Sequence, residues 1–130
     1  MIGALTAAAR LRGLVNSPMR RTAAMLCGAS LLSLGWAAEF ADAGIGVNCL
    51  WPQTYIATAA VANMADGDKL AESSRSPEIM ADAAVEIIAR PSRDTTGNCY
   101  IDAEVLHSVG VADLSRYGGG GQPIPDLFLD

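Results

Sequence analysis

Gly44 to Ala60 reads GIGVNCLWPQTYIATAA, and this stretch decides the fold. Gly44 and Gly46 end whatever helix precedes them. Ile45, Val47, Cys49 and Leu50 form a short apolar run of the kind found in parallel-sheet strands buried on both faces. Pro52 has no N–H to give a ladder and stops the strand. In open α/β sheets ligands lie beyond the carboxyl ends of strands, where Pro52 to Thr58 would fall. Spacing alone is equally consistent with a strand followed by an ordinary loop.

Downstream, Thr58 to Ser76 is polar and reads as a loop with one helical turn at Ala59 to Met64. Ser76-Pro77 then supplies a helix start, with serine as N-cap, proline at the first position and Glu78 favourable to the dipole. Ile79, Met80, Ala83, Ala84, Ile87 and Ile88 recur at three- and four-residue spacing. A helix from Ser76 to Arg90 is predicted, with Ile79, Ala83, Ile87 and Ile88 toward the core, and Pro91 ends it. Thr95 to Asn98 is a turn. Cys99 to Ile101 is a short strand, parallel to one at Gly46 to Leu50, and Asp102 to Leu106 continues as strand or turn. Gly118 to Gly121 lacks a strand–helix context and is not a phosphate loop.

Upstream, Thr22 to Asp42 reads as a helix that Gly44 caps. Ala24, Leu31, Leu34 and Ala38 give it a broad apolar face, and acids arrive only at Glu39 and Asp42. A helix apolar almost all round is buried or packs against another chain. Met1 to Met19, broken by Asn16, Ser17 and Pro18, is either a short amphipathic helix or a targeting segment. Arg20-Arg21 and the apolar run after them imitate a secretory signal.

The chain has 130 residues, 51% of them hydrophobic, and a net charge of −5. That is one domain by length, with material for a core. Residues 1–38 carry four arginines and no acid, whereas residues 39–130 carry five basic and fourteen acidic residues, a net of −9. An acidic body argues against nucleic acid as a partner, since phosphate binding needs clustered Lys and Arg. Cys27, Cys49 and Cys99 are odd in number and lie in apolar surroundings, which predicts buried, reduced thiols in a cytoplasmic protein. His107 has no second ligand nearby, so no metal site is expected. Paired acids such as Asp66/Asp68 and Asp102/Glu104 read as solvated faces.

GIGVNCLWPQTYIATAA resembles the sixth-strand segment and following loop of short-chain dehydrogenases/reductases, most closely their hydroxysteroid-dehydrogenase-like branch. SPEIMADAA (Ser76 to Ala84), GNCYIDAEVL (Gly97 to Leu106) and the late DLFLD fit the same branch in the same order. The resemblance runs from about Gly28 to Asp130, which makes 28–130 a partial domain of that family and leaves 1–27 without a counterpart. It implies an α/β fold: the C-terminal part of a Rossmann-like doubly wound parallel sheet, with an interface helix, two strands and a covering helix, and with the N-terminal cofactor half missing. The family's chemistry is NAD(P)-dependent hydride transfer between a carbonyl and an alcohol. Pro52, Ile56 and Thr58 match positions that contact the nicotinamide end of the cofactor. Gln53 stands where the family usually has glycine, and the spacing to Thr58 is one residue longer than the common pattern. Asn48 is expected to tie the strand end and Trp51 to stand in the pocket wall.

The family's Tyr-x-x-x-Lys pair falls on Thr22 and Leu26, neither of which can do its work. No strand with a Gly-x-x-x-Gly-x-Gly turn precedes the helix, so NAD or NADP is expected not to bind this chain alone. No catalytic residue is assigned, and a truncated reading of a longer gene is one expectation. The helix at Thr22 to Asp42 would pair with a second copy or a related full-length subunit. No stable membrane span is expected. Two other readings stand beside this one: a non-catalytic interaction module, and a small exported protein.

Overall fold

Two short parallel strands carry the architecture, and every other element is placed by them. The computed structural model describes residues 18–64, 66–120 and 122–126, and of residues 18–23 the backbone alone. The elements run α1 (Pro18–Glu39), β1 (Cys49–Trp51), α2 (Ala59–Ala62), α3 (Gly67–Glu72), α4 (Glu78–Ile88), β2 (Cys99–Ile101) and α5 (Asp102–Ser108). A 3₁₀ turn at Ser115–Tyr117 follows. The strands pair in parallel, with Cys49 opposite Cys99, Leu50 opposite Tyr100 and Trp51 opposite Ile101. A parallel pair needs a long crossover, and α2, α3 and α4 make it.

The strand at Gly46 to Leu50 is a correction of register. Gly46, Val47 and Asn48 precede the ladder because their hydrogen bonds go to the turn at Thr95 to Asn98. Val47 N–H donates to Thr96 Oγ1 at 3.1 Å, and Gly97 N–H donates to Val47 O at 2.8 Å. Asn48 ties the strand end as expected: its Nδ2 donates to Thr95 O, and its Oδ1 accepts from the Asn98 backbone and side chain. The turn lies so near that a Cβ on Gly46 would stand 2.6 Å from Thr95 O. Glycine is required there by close approach.

The core forms between α4, α5 and the segment after them. Ile79, Ala83, Ala103, Val105, Leu106, Leu114 and Tyr117 are buried together, and Leu50, Ile56, Ile87 and Tyr100 pack against them. Fully burying a side chain such as Ile79 contributes about 1.5–3 kcal/mol. The periodic helix is present but ends two residues sooner at each side than predicted. Ser76 does not cap it through its side chain; the hydroxyl bonds the Glu78 carboxylate instead, which holds that carboxyl below its ordinary pKa. Ile88 is exposed, a correction, because it lies on the solvent side of the stripe centred on Ile79 and Ala83.

Four further expectations are corrected. Asp102 to Leu106 is helix, not strand or turn: Asp102 and Glu104 stand in its first turn, and Ala103 and Leu106 are buried one turn apart. The loop at Thr58 to Ser76 holds two short helices, and only the first was anticipated. The helix at Thr22 to Asp42 starts by Pro18 and stops at Glu39, after which Gly44, at φ 72°, closes a separate turn. Within this chain it is not buried. Ala37 is its one buried residue among those described, while Met25, Leu31, Leu32, Leu34 and Trp36 are exposed. The thiols differ too: Cys49 is buried, but Cys27 and Cys99 are exposed, and all three are unpaired. No helix among the described residues is long and apolar enough to cross a membrane.

Candidate functional site

Pro52 breaks the ladder after Trp51, and the chain beyond it is held on both sides by backbone bonds. Tyr55 N–H donates to Ile124 O at 3.0 Å, and Asp126 N–H donates to Gln53 O at 3.0 Å, with Thr54 bridged antiparallel to Pro125. On the other side Arg75 N–H donates to Tyr55 O at 2.9 Å, and Ala57 N–H donates to Arg75 O at 2.8 Å. Arg75 also bridges Gly118. The loop is therefore the middle of a small irregular ladder made of tail, loop and Arg75, three residues before α4. Such fixing costs conformational entropy during folding, so the loop's geometry is set before any ligand arrives.

Pro52, Ile56 and Thr58 all lie on this loop but face different surroundings. Pro52 is half-buried at the strand end, and Ile56 packs against the core. Thr58 is exposed and caps α2, its Oγ1 accepting from Val61 N–H at 3.4 Å. That hydroxyl accepts one bond and keeps its own proton for a second partner. None of the three lines either of the two clefts described next. Trp51, also half-buried, pairs with Ile101 across the sheet.

At the carboxyl ends of the strands lies an open cleft of ≈ 520 Å³, lined by Gln53, Thr54, Arg75, Ile101, Glu104 and Pro125. A second, of ≈ 370 Å³, is lined by Arg75, His107, Leu114, Ser115, Gly118 and Pro123. Arg75 and Pro123 are common to both.

Sequence reasoning missed the group that organises this region. Asp102, taken for part of a solvated acidic face, is 0% exposed. Its Oδ1 accepts from Gln53 N–H at 2.8 Å and from Ala103 N–H at 2.6 Å. Gln53 Oε1 in turn accepts from Arg75 Nη1 at 3.2 Å. Burial pushes the Asp102 carboxyl above its ordinary pKa; the two N–H bonds and the Arg75 charge pull against this, and Asp126 adds to it. The available signal was its place between strand-forming Ile101 and apolar Ala103, where a solvated side chain has no room. Tyr55, on the same loop, has its phenol pushed up by burial and by Asp126. Tyr117 is buried and donates to Asp82 Oδ2 at 2.7 Å; Arg116 binds both the Asp82 carboxylate and the Tyr117 hydroxyl. That cluster fastens the 3₁₀ turn to α4. Of the dyad positions, Leu26 is half-buried on α1, and the side chain of Thr22 lies outside the described residues. Among the described residues no group of three or more His, Cys, Asp or Glu could hold a metal.

Solved structures show what this arrangement is similar to. A short-chain dehydrogenase from Mycobacterium thermoresistibile superposes with a TM-score of 0.69 at 46% identity, over 79% of this chain and 37% of that one. The chain matches the C-terminal part of the short-chain dehydrogenase fold. A dehydrogenase candidate from Xanthomonas campestris gives the same TM-score at 42% identity, over 79% of this chain and 38% of its own. Hydroxysteroid dehydrogenase-like protein 2 of Xenopus tropicalis is 45% identical, and that of Homo sapiens 41%, each over 105 residues. The chain spans about a quarter of the length of those curated relatives. No family model matches it. The sequence thus resembles the hydroxysteroid-dehydrogenase-like proteins, and the fold resembles the C-terminal part of short-chain dehydrogenases.

Proposed function

We propose that this chain supplies the C-terminal wall of an NAD(P)-dependent carbonyl/alcohol oxidoreductase site, and that by itself it does not turn over. The observation that carries this is the loop after β1, pinned at the carboxyl end of a parallel strand in a chain whose relatives are dehydrogenase-like. Pro52, Ile56 and Thr58 are the residues proposed to meet the nicotinamide end of the cofactor. Pro52 would set the loop's departure from the sheet, Ile56 would anchor it in the core, and the Thr58 hydroxyl would donate to a polar group of the ring. NAD or NADP would supply the hydride when bound.

The chemistry also needs a proton donor and a phosphate cradle. Tyr55, Tyr100 and Tyr117 are followed four residues later by Ala59, Glu104 and Gly121, and Lys69 is the sequence's one lysine. A Tyr–Lys pair of the family's kind is therefore not formed by neighbouring residues of this sequence. Residues 28–130 would form the partial dehydrogenase domain, with 1–27 outside it. A cytoplasmic setting accords with the three unpaired thiols.

The experiment is a chimera in which this chain from Gly28 onward replaces the matching segment of a Hydroxysteroid dehydrogenase-like protein 2 relative. Cofactor binding by the chimera, weakened in its Thr58→Val form, would support the assignment. A folded chimera that binds NAD(P)H equally well with and without the Thr58 hydroxyl would refute the role of Thr58.

A second reading has an observation of its own. The exposed apolar residues of α1 favour pairing with another copy of the chain or with a related full-length subunit. That would make the chain an interaction module, whether or not it also meets a cofactor.

A further inference from the structure

Three buried side-chain atoms have no hydrogen-bond partner among the described residues: Thr54 Oγ1, Arg75 Nε and Asp102 Oδ2. All three residues connect to Gln53. Thr54 follows it in the chain, Arg75 donates to its side-chain oxygen, and Asp102 accepts from its backbone N–H. Gln53, Thr54 and Arg75 line the ≈ 520 Å³ cleft, as do Ile101 and Glu104 on either side of Asp102-Ala103. Thr54 is 4% exposed and Asp102 0%. Buried polar groups in native proteins are almost always matched. Three unmatched ones around a single residue point to a partner beyond the described residues.

The chemistry of that partner follows from what the three atoms can do. Arg75 Nε–H only donates, an ionised Asp102 only accepts, and the Thr54 hydroxyl does both. Arg75 and Asp102 feel one another's charge, but no ion pair between them is formed. An incoming anion would be repelled by Asp102, and a cation by Arg75. A neutral group that accepts from Arg75 and donates to Asp102 suits the set. We propose that Thr54, Arg75 and Asp102 form a socket for one neutral hydroxyl group at this cleft, supplied by solvent or by an alcohol ligand. Buried waters in proteins typically make about three hydrogen bonds to such groups. The socket is independent of the nicotinamide reading, since Pro52, Ile56 and Thr58 lie outside the cleft's lining.

NMR on the full 130-residue chain tests it. In the solvent arm, the Gln53 and Thr54 amides should show cross-peaks to a long-lived water. In the ligand arm, cyclohexanol should shift the Gln53, Thr54 and Asp102 amide signals saturably. Cyclohexanone accepts but cannot donate, so its effect should be roughly tenfold weaker, as expected for one lost bond to a charged group. A signal in either arm that disappears in Thr54→Val or Asp102→Asn supports the socket. Wild-type protein with neither water contact nor alcohol response at these amides overturns it, as does a response to the ketone equal to that to the alcohol. The wild-type measurement decides even where a variant fails to fold.

Discussion

Gln53 N–H donates to Asp102 Oδ1 at 2.8 Å, joining the first residue after Pro52 to the first residue after β2. The two strands end side by side, and this bond fixes how the chain leaves both of them. A buried carboxylate at that junction is expensive unless it is bonded, and the Gln53 and Ala103 N–H groups supply the bonds. The loop proposed to meet the cofactor therefore depends on an acid contributed from the end of the neighbouring strand.

Replacing Asp102 tests that dependence. Asp102→Ala leaves two buried N–H donors unmatched and should destabilise by about 1–3 kcal/mol. Asp102→Asn keeps an acceptor at Oδ1 and removes the buried charge, so it should lose less. Urea titration of the three proteins gives the order. An alanine variant as stable as the parent would show that the bond is idle.

The same residue sets a pH dependence. Its folded-state pKa lies above the ordinary value through burial, with Asp126 acting in the same direction and Arg75 and the two N–H bonds against it. The folded state thus binds the proton more tightly than the unfolded chain. This group's contribution is fully present below the ordinary carboxylate pKa and is lost as pH rises through the folded value. Asp102→Asn should flatten that part of the stability–pH curve. A curve identical to the parent's in this range would rule out Asp102 as its source.

Burial grades the apolar face of α4. Ile79 is 0% exposed, so Ile79→Ala should cost roughly 2–5 kcal/mol. Ile87 is half-buried, and its truncation should cost less. Ile88→Ala should stay within about 0.5 kcal/mol, as surface changes do. Equal losses at Ile79 and Ile88 in denaturant unfolding would contradict the orientation of the helix.

What the sequence made legible follows from how strongly each pattern constrains the chain. Cys99 to Ile101 was readable because a turn precedes it and three strand-formers fill it. α4 was readable because its period is 3.6 and a proline stands near each end. β1 lies further along the chain than expected because hydrogen bonds from Asn48 and Thr96 claim the residues before it, and such long-range bonds leave no periodicity. α5 was hidden because a helix that starts directly on a strand's last residue shows no linker. The exposure of α1 was unreadable for a different reason: an apolar helix looks the same whether its own chain covers it or another does. The Gln53–Asp102–Arg75 network lies on three segments that only folding brings together, so no local pattern marks the network, and only the apolar neighbours of Asp102 hint at that residue's burial.

The bare face of α1 makes a prediction about assembly. Met25 and Leu31 are 75% and 70% exposed, and Leu32, Leu34 and Trp36 add to the apolar surface. Contiguous exposed apolar patches are uncommon on monomers, and the two-stranded sheet leaves open edges as well. The purified chain should run larger than a monomer in size-exclusion chromatography. Leu31→Lys should reduce that size while leaving helix content unchanged. A well-behaved monomer before any substitution would remove the pairing proposal.

Whether the chain turns over by itself is measured most directly as carbonyl-dependent NAD(P)H oxidation by the unmodified chain beside the chimera carrying a relative's cofactor-binding half. A missing acid–base group costs on the order of 10²–10⁴-fold, and loss of cofactor positioning can cost about 7–11 kcal/mol more. The chain alone should give no turnover, and none after Thr22→Tyr with Leu26→Lys, whereas the chimera should turn over. Oxidation of NAD(P)H by the unaccompanied chain with simple ketones, or a folded chimera that stays inactive, would contradict the proposed function.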